Sequence, residues 1–199
     1  VNALSSSLKV EVYRDQKKHT QEFSKGKAIS DLISEPLQSD EINKHGTSIH
    51  FVPDNEIFVE IIYDYNVLIQ RFKEMAYLNK GMKIKFKSDF HDELSPNNQE
   101  EFHYEGGILS FVEHLNESRE VVHKKPIYVE KQINGTIVEV AMQYNDTFNE
   151  SVYSFANCIN TRDGGTHVTG FRASLTRVIN DYARKQKFIK AAEPNLSGE

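Results

Sequence analysis

Apolar and polar residues alternate from Leu8 to Asp15: Leu8, Val10 and Val12 fall on one side, Lys9, Glu11 and Tyr13 on the other. That period of two predicts a half-buried strand, with Arg14 at the far end of its apolar face. The polar run 15–18 predicts a turn, and His19–Phe23 an antiparallel return. A loop is expected from Gly26 to Gly46, tacked to the core by Ile29, Leu32 and Ile33. Thr47, Ile49 and Phe51 then line one face of a further strand. Pro53 ends it, because proline has no N–H to give to a ladder.

The period then lengthens to three and four. Tyr65–Asn79 reads as a helix capped by Asp64, with Leu68, Ile69, Phe72, Met75 and Ala76 buried and Gly81 at the C-terminal cap. Met82–Lys87 reads as a strand with Ile84 and Phe86 inward and three lysines outward. Residues 91–99, with Ser95-Pro96-Asn97-Asn98, carry the strongest loop signal, and a strand is expected over Glu101–Glu105. From Gly106-Gly107 a helix should run to about Asn116. Asn134-Gly135, between Ile127–Ile133 and Thr136–Tyr144, predicts a hairpin.

Ser151–Ile159 is expected to form one strand, with Cys158 inert in its apolar run. Gly164 and Gly165 let the chain reverse without a Cβ clash, and Thr166 is placed to cap a helix from Val168 to about Lys187. Phe171, Leu175, Val178, Ile179 and Tyr182 make one face of that helix, expected to lie on a sheet that includes Ser151–Ile159. Strand-rich sequence hands over to the glycine pair near 101–107, which divides the chain into 1–101 and 102–199. The predicted class is α+β.

The 199 residues suit one large or two small domains, and 38% hydrophobic with 27% charged residues describes an ordinary globular chain on the polar side. No apolar run approaches a membrane span, and the single cysteine suits a reducing cytoplasm. The eight histidines show no metal-ligand spacing. A net charge of −5 excludes a chain that wraps nucleic acid with its whole surface, since phosphate binding is dominated by Lys and Arg. Arg162, Arg172, Arg177, Arg184 and Lys185 form a local basic stretch, whose plain reading is a solvated helix face. Val1 and the polar end at 193–199 both read as cuts in a longer protein. An exposed sheet edge and limited stability are therefore expected of the piece.

Pattern alone leaves the site undecided: Thr47 is then a strand-end threonine, and Arg14 an arginine whose stem lies along the sheet while its head reaches water. The run DGGTHVTGFRASLTRVINDYARK at 163–185 changes this, because it resembles the transducer domain of the ATPase chains of bacterial type IIA topoisomerases, gyrase B and topoisomerase IV B. VNALS at 1–5, HGTSIHFVPD at 45–54, LNKGMKI at 78–84, FHYEGG at 102–107 and VEVAMQYND at 138–146 agree in the same order. The resemblance covers essentially the whole chain, with the Phe171-Arg172 neighbourhood leaning towards gyrase. It implies the C-terminal part of a Bergerat-type ATPase sandwich followed by a ribosomal protein S5 domain 2-like transducer.

By the same resemblance, Thr47 supports adenine recognition, Ile49 matches the apolar pocket floor and Arg14 lies at the pocket mouth. Arg172 matches an arginine lining the cavity through which transported double-stranded DNA passes. The implied cofactors are ATP and Mg²⁺, and the implied partners are the gyrase A-subunit, DNA and a second copy of the ATPase chain. The water-activating glutamate, the Mg²⁺-holding asparagine and the lysine that reaches the γ-phosphate would lie outside these residues. No catalytic residue is expected here, and the piece alone should be inactive. A non-catalytic α+β binding module that only resembles the family is the competing reading.

Overall fold

A computed structural model describes residues 1–94, 98–190 and 192–198. The chain divides into two compact units, Val1–Asp64 and Tyr65–Glu199.

The first unit is built on an antiparallel sheet. After a 3₁₀ turn at Asn2–Leu4 come β1 (Ser5–Arg14) and β2 (Lys17–Ser24), joined by Asp15 and Gln16 at φ of 53° and 59°. Both central residues thus have positive φ, the turn that matches the twist of a two-stranded ribbon. β2 continues to β3 (Lys27–Ala28) and β4 (Ile33–Pro36), while β5 (Gly46–Pro53) pairs with the other edge of β1. The expected loop over 26–46 therefore contributes two short strands. Ile29, Leu32 and Ile33 do not tack it down, being 62, 62 and 52% exposed. Backbone pairing does so instead, with the Ile29 amide donating to the Glu22 carbonyl and the Glu22 amide to the Ser30 hydroxyl. At the other end, Asp54 is buried and its carboxylate takes the Glu56 amide and the Lys25 ammonium, at 3.0 and 3.4 Å.

The second unit opens with α1 (Tyr65–Leu78), packed on the hairpin of β6 (Lys83–Lys87) and β7 (Gln99–His103) and on α2 (Ile108–Leu115). Ile84 and Phe86 face in and the three lysines out, as the alternation requires. On α1 the expected face is rotated: Met75 is exposed, whereas Ala76 and Tyr77 are buried. The cause is the ring stack of Tyr77 on Tyr104 at 3.7 Å and on Phe111 at 5.1 Å, which draws position 77 inward. Of the expected 95–98 loop, Ser95, Pro96 and Asn97 lie outside the described residues. Gly107 enters α2 at φ 59° and ψ −132°, with the Lys80 Cβ only 3.2 Å from where its own Cβ would be, so only glycine makes this handover unstrained.

β8 (Ile127–Ile133) and β9 (Thr136–Met142) form the predicted hairpin about Asn134-Gly135, and α2 packs on β9. Buried Asn116 joins them: its amide nitrogen donates to Gln143 Oε1 at 3.0 Å, and its oxygen accepts from Asn145 Nδ2 at 2.8 Å. Ser151–Ile159 is not one strand. Asn157 and Cys158 take positive φ and turn β10 (Phe155–Ala156) back on β11 (Ile159–Asn160), leaving Cys158 exposed at the tip rather than in a core.

α3 runs over Thr166–Lys185 with Gly165, not Thr166, at its N-cap. It packs broadly on none of the described strands or helices. Phe171 and Leu175 are half-buried, but Val178 and Tyr182 are more than half exposed, and the buried positions are Asn180 and Ala183. The helix end explains the rotation. Lys187 takes φ 60°, the Phe188 amide bonds the Ala183 carbonyl and the Lys187 amide the Arg184 carbonyl. This Schellman closure sends the following segment back along the helix. There Asn180 donates to the Leu196 carbonyl at 3.0 Å and accepts its amide at 2.7 Å. The sheet expected under α3 is replaced by this returning segment.

Candidate functional site

Two stretches hold the residues singled out from the sequence, one in each unit. In the first, register places Val12 opposite Thr47, Val10 opposite Ile49 and Leu8 opposite Phe51, while Val12 faces His19 on the other side. Cross-strand partners share a face, so Leu8, Val10, Val12, Ile49 and Phe51 make one apolar strip with Thr47 near its end. Arg14 continues the same face one step beyond Val12. Its Nε lies 3.3 Å from the Asp15 carboxylate, with both side chains more than three-quarters exposed. The strip is open to solvent: Ile49 is 59% and Phe51 44% exposed. Towards Phe51 it runs into a concavity of about 370 Å³ lined also by Val1, Leu4, Phe58 and Ile62.

The opposite face carries the charge. Glu11 bonds Lys18 at 2.8 Å and Lys9 at 3.2 Å, and these ammoniums, Lys18 first, hold its carboxyl below the ordinary range. Apart from Arg14 at its end, the strip is clear of this charged cluster and can take up a flat, weakly polar group against one hydroxyl. The strip has no acid–base pair with which to do chemistry on it.

In the second unit, α3 displays Arg172 on the rim of an open groove of about 530 Å³. Thr169, Thr176 and Arg177 line it from the helix and Asn195 and Leu196 from the returning segment. The helix start is fixed by a chain of bonds, from Ser154 Oγ to Thr161 Oγ1 at 2.6 Å and on to His167 Nε2 at 3.2 Å. Arg172 is not free: its Nη2 lies 2.9 Å from both carboxylate oxygens of Glu150. Glu150 is the residue of this site that the sequence does not single out. It lies 22 positions away, in an irregular stretch, and nothing periodic points to it. Among the described residues no three His, Cys, Asp or Glu side chains gather to hold a metal ion. No described helix is long and apolar enough to cross a membrane.

A family profile for DNA gyrase B matches residues 107–199. Over its whole length the chain is 51% identical to the DNA gyrase B-subunit of Halalkalibacterium halodurans and 50% identical to that of Streptococcus pyogenes. This chain belongs to the DNA gyrase B family. It spans about 30% of the length of those two relatives. Among solved structures, the 43K ATPase domain of Thermus thermophilus gyrase B in complex with an aminocoumarin superposes with a TM-score of 0.79. That likeness has 34% identity and covers 99% of this chain and 52% of the other. The gyrase B-subunit of Myxococcus xanthus gives a TM-score of 0.73 at 26% identity, over 88% of this chain and 50% of that one. The α+β fold of this gyrase B-family chain is accordingly that of the gyrase B ATPase region.

Proposed function

We propose that this gyrase B-family chain forms one wall of the ATP site, and the first part of the DNA-facing transducer, in the ATP-hydrolysing component of a bacterial type IIA topoisomerase. The parent activity is negative supercoiling of double-stranded DNA, in the cytoplasm, with the gyrase A-subunit as partner and ATP-dependent pairing of two copies of the ATPase chain. In this reading residues 1–101 complete the ATPase domain and 102–199 open the transducer; the match of the gyrase B profile from Gly107 onwards supports that division.

The observation that carries the ATP assignment is the shared face of Arg14, Thr47 and Ile49, set by the β1–β5 register in a chain half identical to gyrase B throughout. Ile49 with Val10 offers the adenine ring an apolar floor, Thr47 offers one hydroxyl at its edge, and Arg14 stands at the mouth. That strip fits one side of a nucleotide. No cluster among the described residues fits Mg²⁺, so no step through the metal is derived from this chain. Phosphoryl transfer needs a positioned water and charge stabilisation at the γ-phosphate together, and this reading assigns both to other parts of the enzyme. Arg172 is assigned to DNA phosphate, a contact that positions a duplex without reading its sequence.

The test uses the full-length protein together with the gyrase A-subunit. Thr47→Ala should raise the KM for ATP about tenfold, the worth of one hydrogen bond in a desolvated site. An unchanged KM would remove Thr47 from the pocket. On relaxed plasmid the parent should introduce negative supercoils. Decatenation without supercoiling would instead assign it to topoisomerase IV.

A further inference from the structure

Glu150 and Arg172 sit 22 positions apart, yet both carboxylate oxygens lie 2.9 Å from one guanidinium nitrogen. The pair is open to water, with the two side chains 62 and 43% exposed. An anion from solution can therefore reach it. The groove beside it offers what a phosphate diester needs: a second guanidinium on Arg177, which forms no ion pair among the described residues, and the hydroxyls of Thr169 and Thr176. One acid, Asp181, stands in the same lining.

Resting on the reading that Arg172 meets DNA, we propose that Glu150 is a built-in competitor that occupies Arg172 until a duplex phosphate displaces it. A carboxylate and a phosphate present similar oxygen pairs to a guanidinium, and only one can hold that position at a time. Because Glu150 is tethered near Arg172, it raises the DNA concentration needed to fill the groove. It also keeps the guanidinium from binding stray anions when no duplex is present. Phosphate exchange at Arg172 is then a swap of partners, in which the displaced Glu150 carboxylate turns back to water.

The experiment measures binding of a labelled linear duplex to the full-length protein by fluorescence anisotropy, at a series of salt concentrations. Five proteins are compared: the parent, Glu150→Gln, Arg172→Gln, the double variant and Arg172→Lys. Glu150→Gln should tighten binding about two- to fivefold, the range spanned by an exposed ion pair, and Arg172→Gln should weaken it. In the Arg172→Gln background, Glu150→Gln should change nothing further. Arg172→Lys, which keeps the charge, guards against loss of fold as the cause of weakening. Tightening of equal size in both backgrounds would mean that Glu150 merely repels DNA at a distance, and the competitor role falls. Weakening by Arg172→Gln with no response to Glu150→Gln overturns the proposal but leaves Arg172 on the DNA path. No response to Arg172→Gln overturns both.

Discussion

Removing the Tyr77 ring should cost the second unit more than any other single truncation of its aromatic core. Tyr77 is 4% exposed, stacked on Tyr104 at 3.7 Å and on Phe111 at 5.1 Å, and it lies against His114. It therefore joins α1, the β7–α2 connection and α2 at one point. Truncating a buried aromatic to alanine costs about 3–5 kcal/mol in lost transfer energy and residual cavity. A fold of this size is stable by roughly 5–15 kcal/mol in all. At roughly 2–4 °C per kcal/mol, Tyr77→Ala should lower the melting temperature by some 6–20 °C. Calorimetry and urea unfolding followed by near-ultraviolet circular dichroism both read this. Tyr77→Phe keeps the ring and should lose only about 1 kcal/mol. The pair also predicts a pH response. Burial first, and a hydrogen bond with Tyr104 second, push the Tyr77 hydroxyl well above the phenol's ordinary value of 10.0. A folded-state pKa above the unfolded one gives a contribution that is complete below about pH 10 and is lost as pH rises past it. The parent should thus lose stability in alkali more steeply than Tyr77→Phe. A Tyr77→Ala protein within 1 kcal/mol of the parent, or identical alkaline limbs, would refute this account of the core.

Three further outcomes follow from other contacts. Gly107→Ala forces a side chain into φ 59° and against Lys80, and should destabilise by roughly 1–3 kcal/mol in urea melts. Asn180→Ala removes both bonds to Leu196, so the Leu196 amide should exchange its hydrogen about tenfold faster while the amides of β1 are unaffected. Glu11→Gln should flatten the acid limb of stability. The Glu11 carboxyl is held low by Lys18 and Lys9, so its contribution is present above about pH 4.5 and disappears as pH falls through the folded value.

Local pattern was enough for elements whose partner is the next segment along the chain. The β1–β2 and β8–β9 hairpins, the inward pair Ile84 and Phe86, and the common face of Arg14, Thr47 and Ile49 were all legible, because a period of two assigns each residue to a side before any partner is chosen. Family motifs supplied the chemistry that this pattern lacks. Tertiary contacts decided the rest. Tyr77 rather than Met75 is buried because rings distant in sequence meet there. α3 turns Asn180 and Ala183 inward because a segment beyond its Schellman end folds back on it, a choice no helical period contains. Ser151–Ile159 looked like one strand from its apolar content, yet Asn157 and Cys158 at positive φ turn the chain there into two short ones. Glu150 became part of the candidate site only when folding carried a carboxylate to a guanidinium 22 residues away. Periodicity records which side of an element faces a neighbour, and only the folded chain settles which neighbour that is.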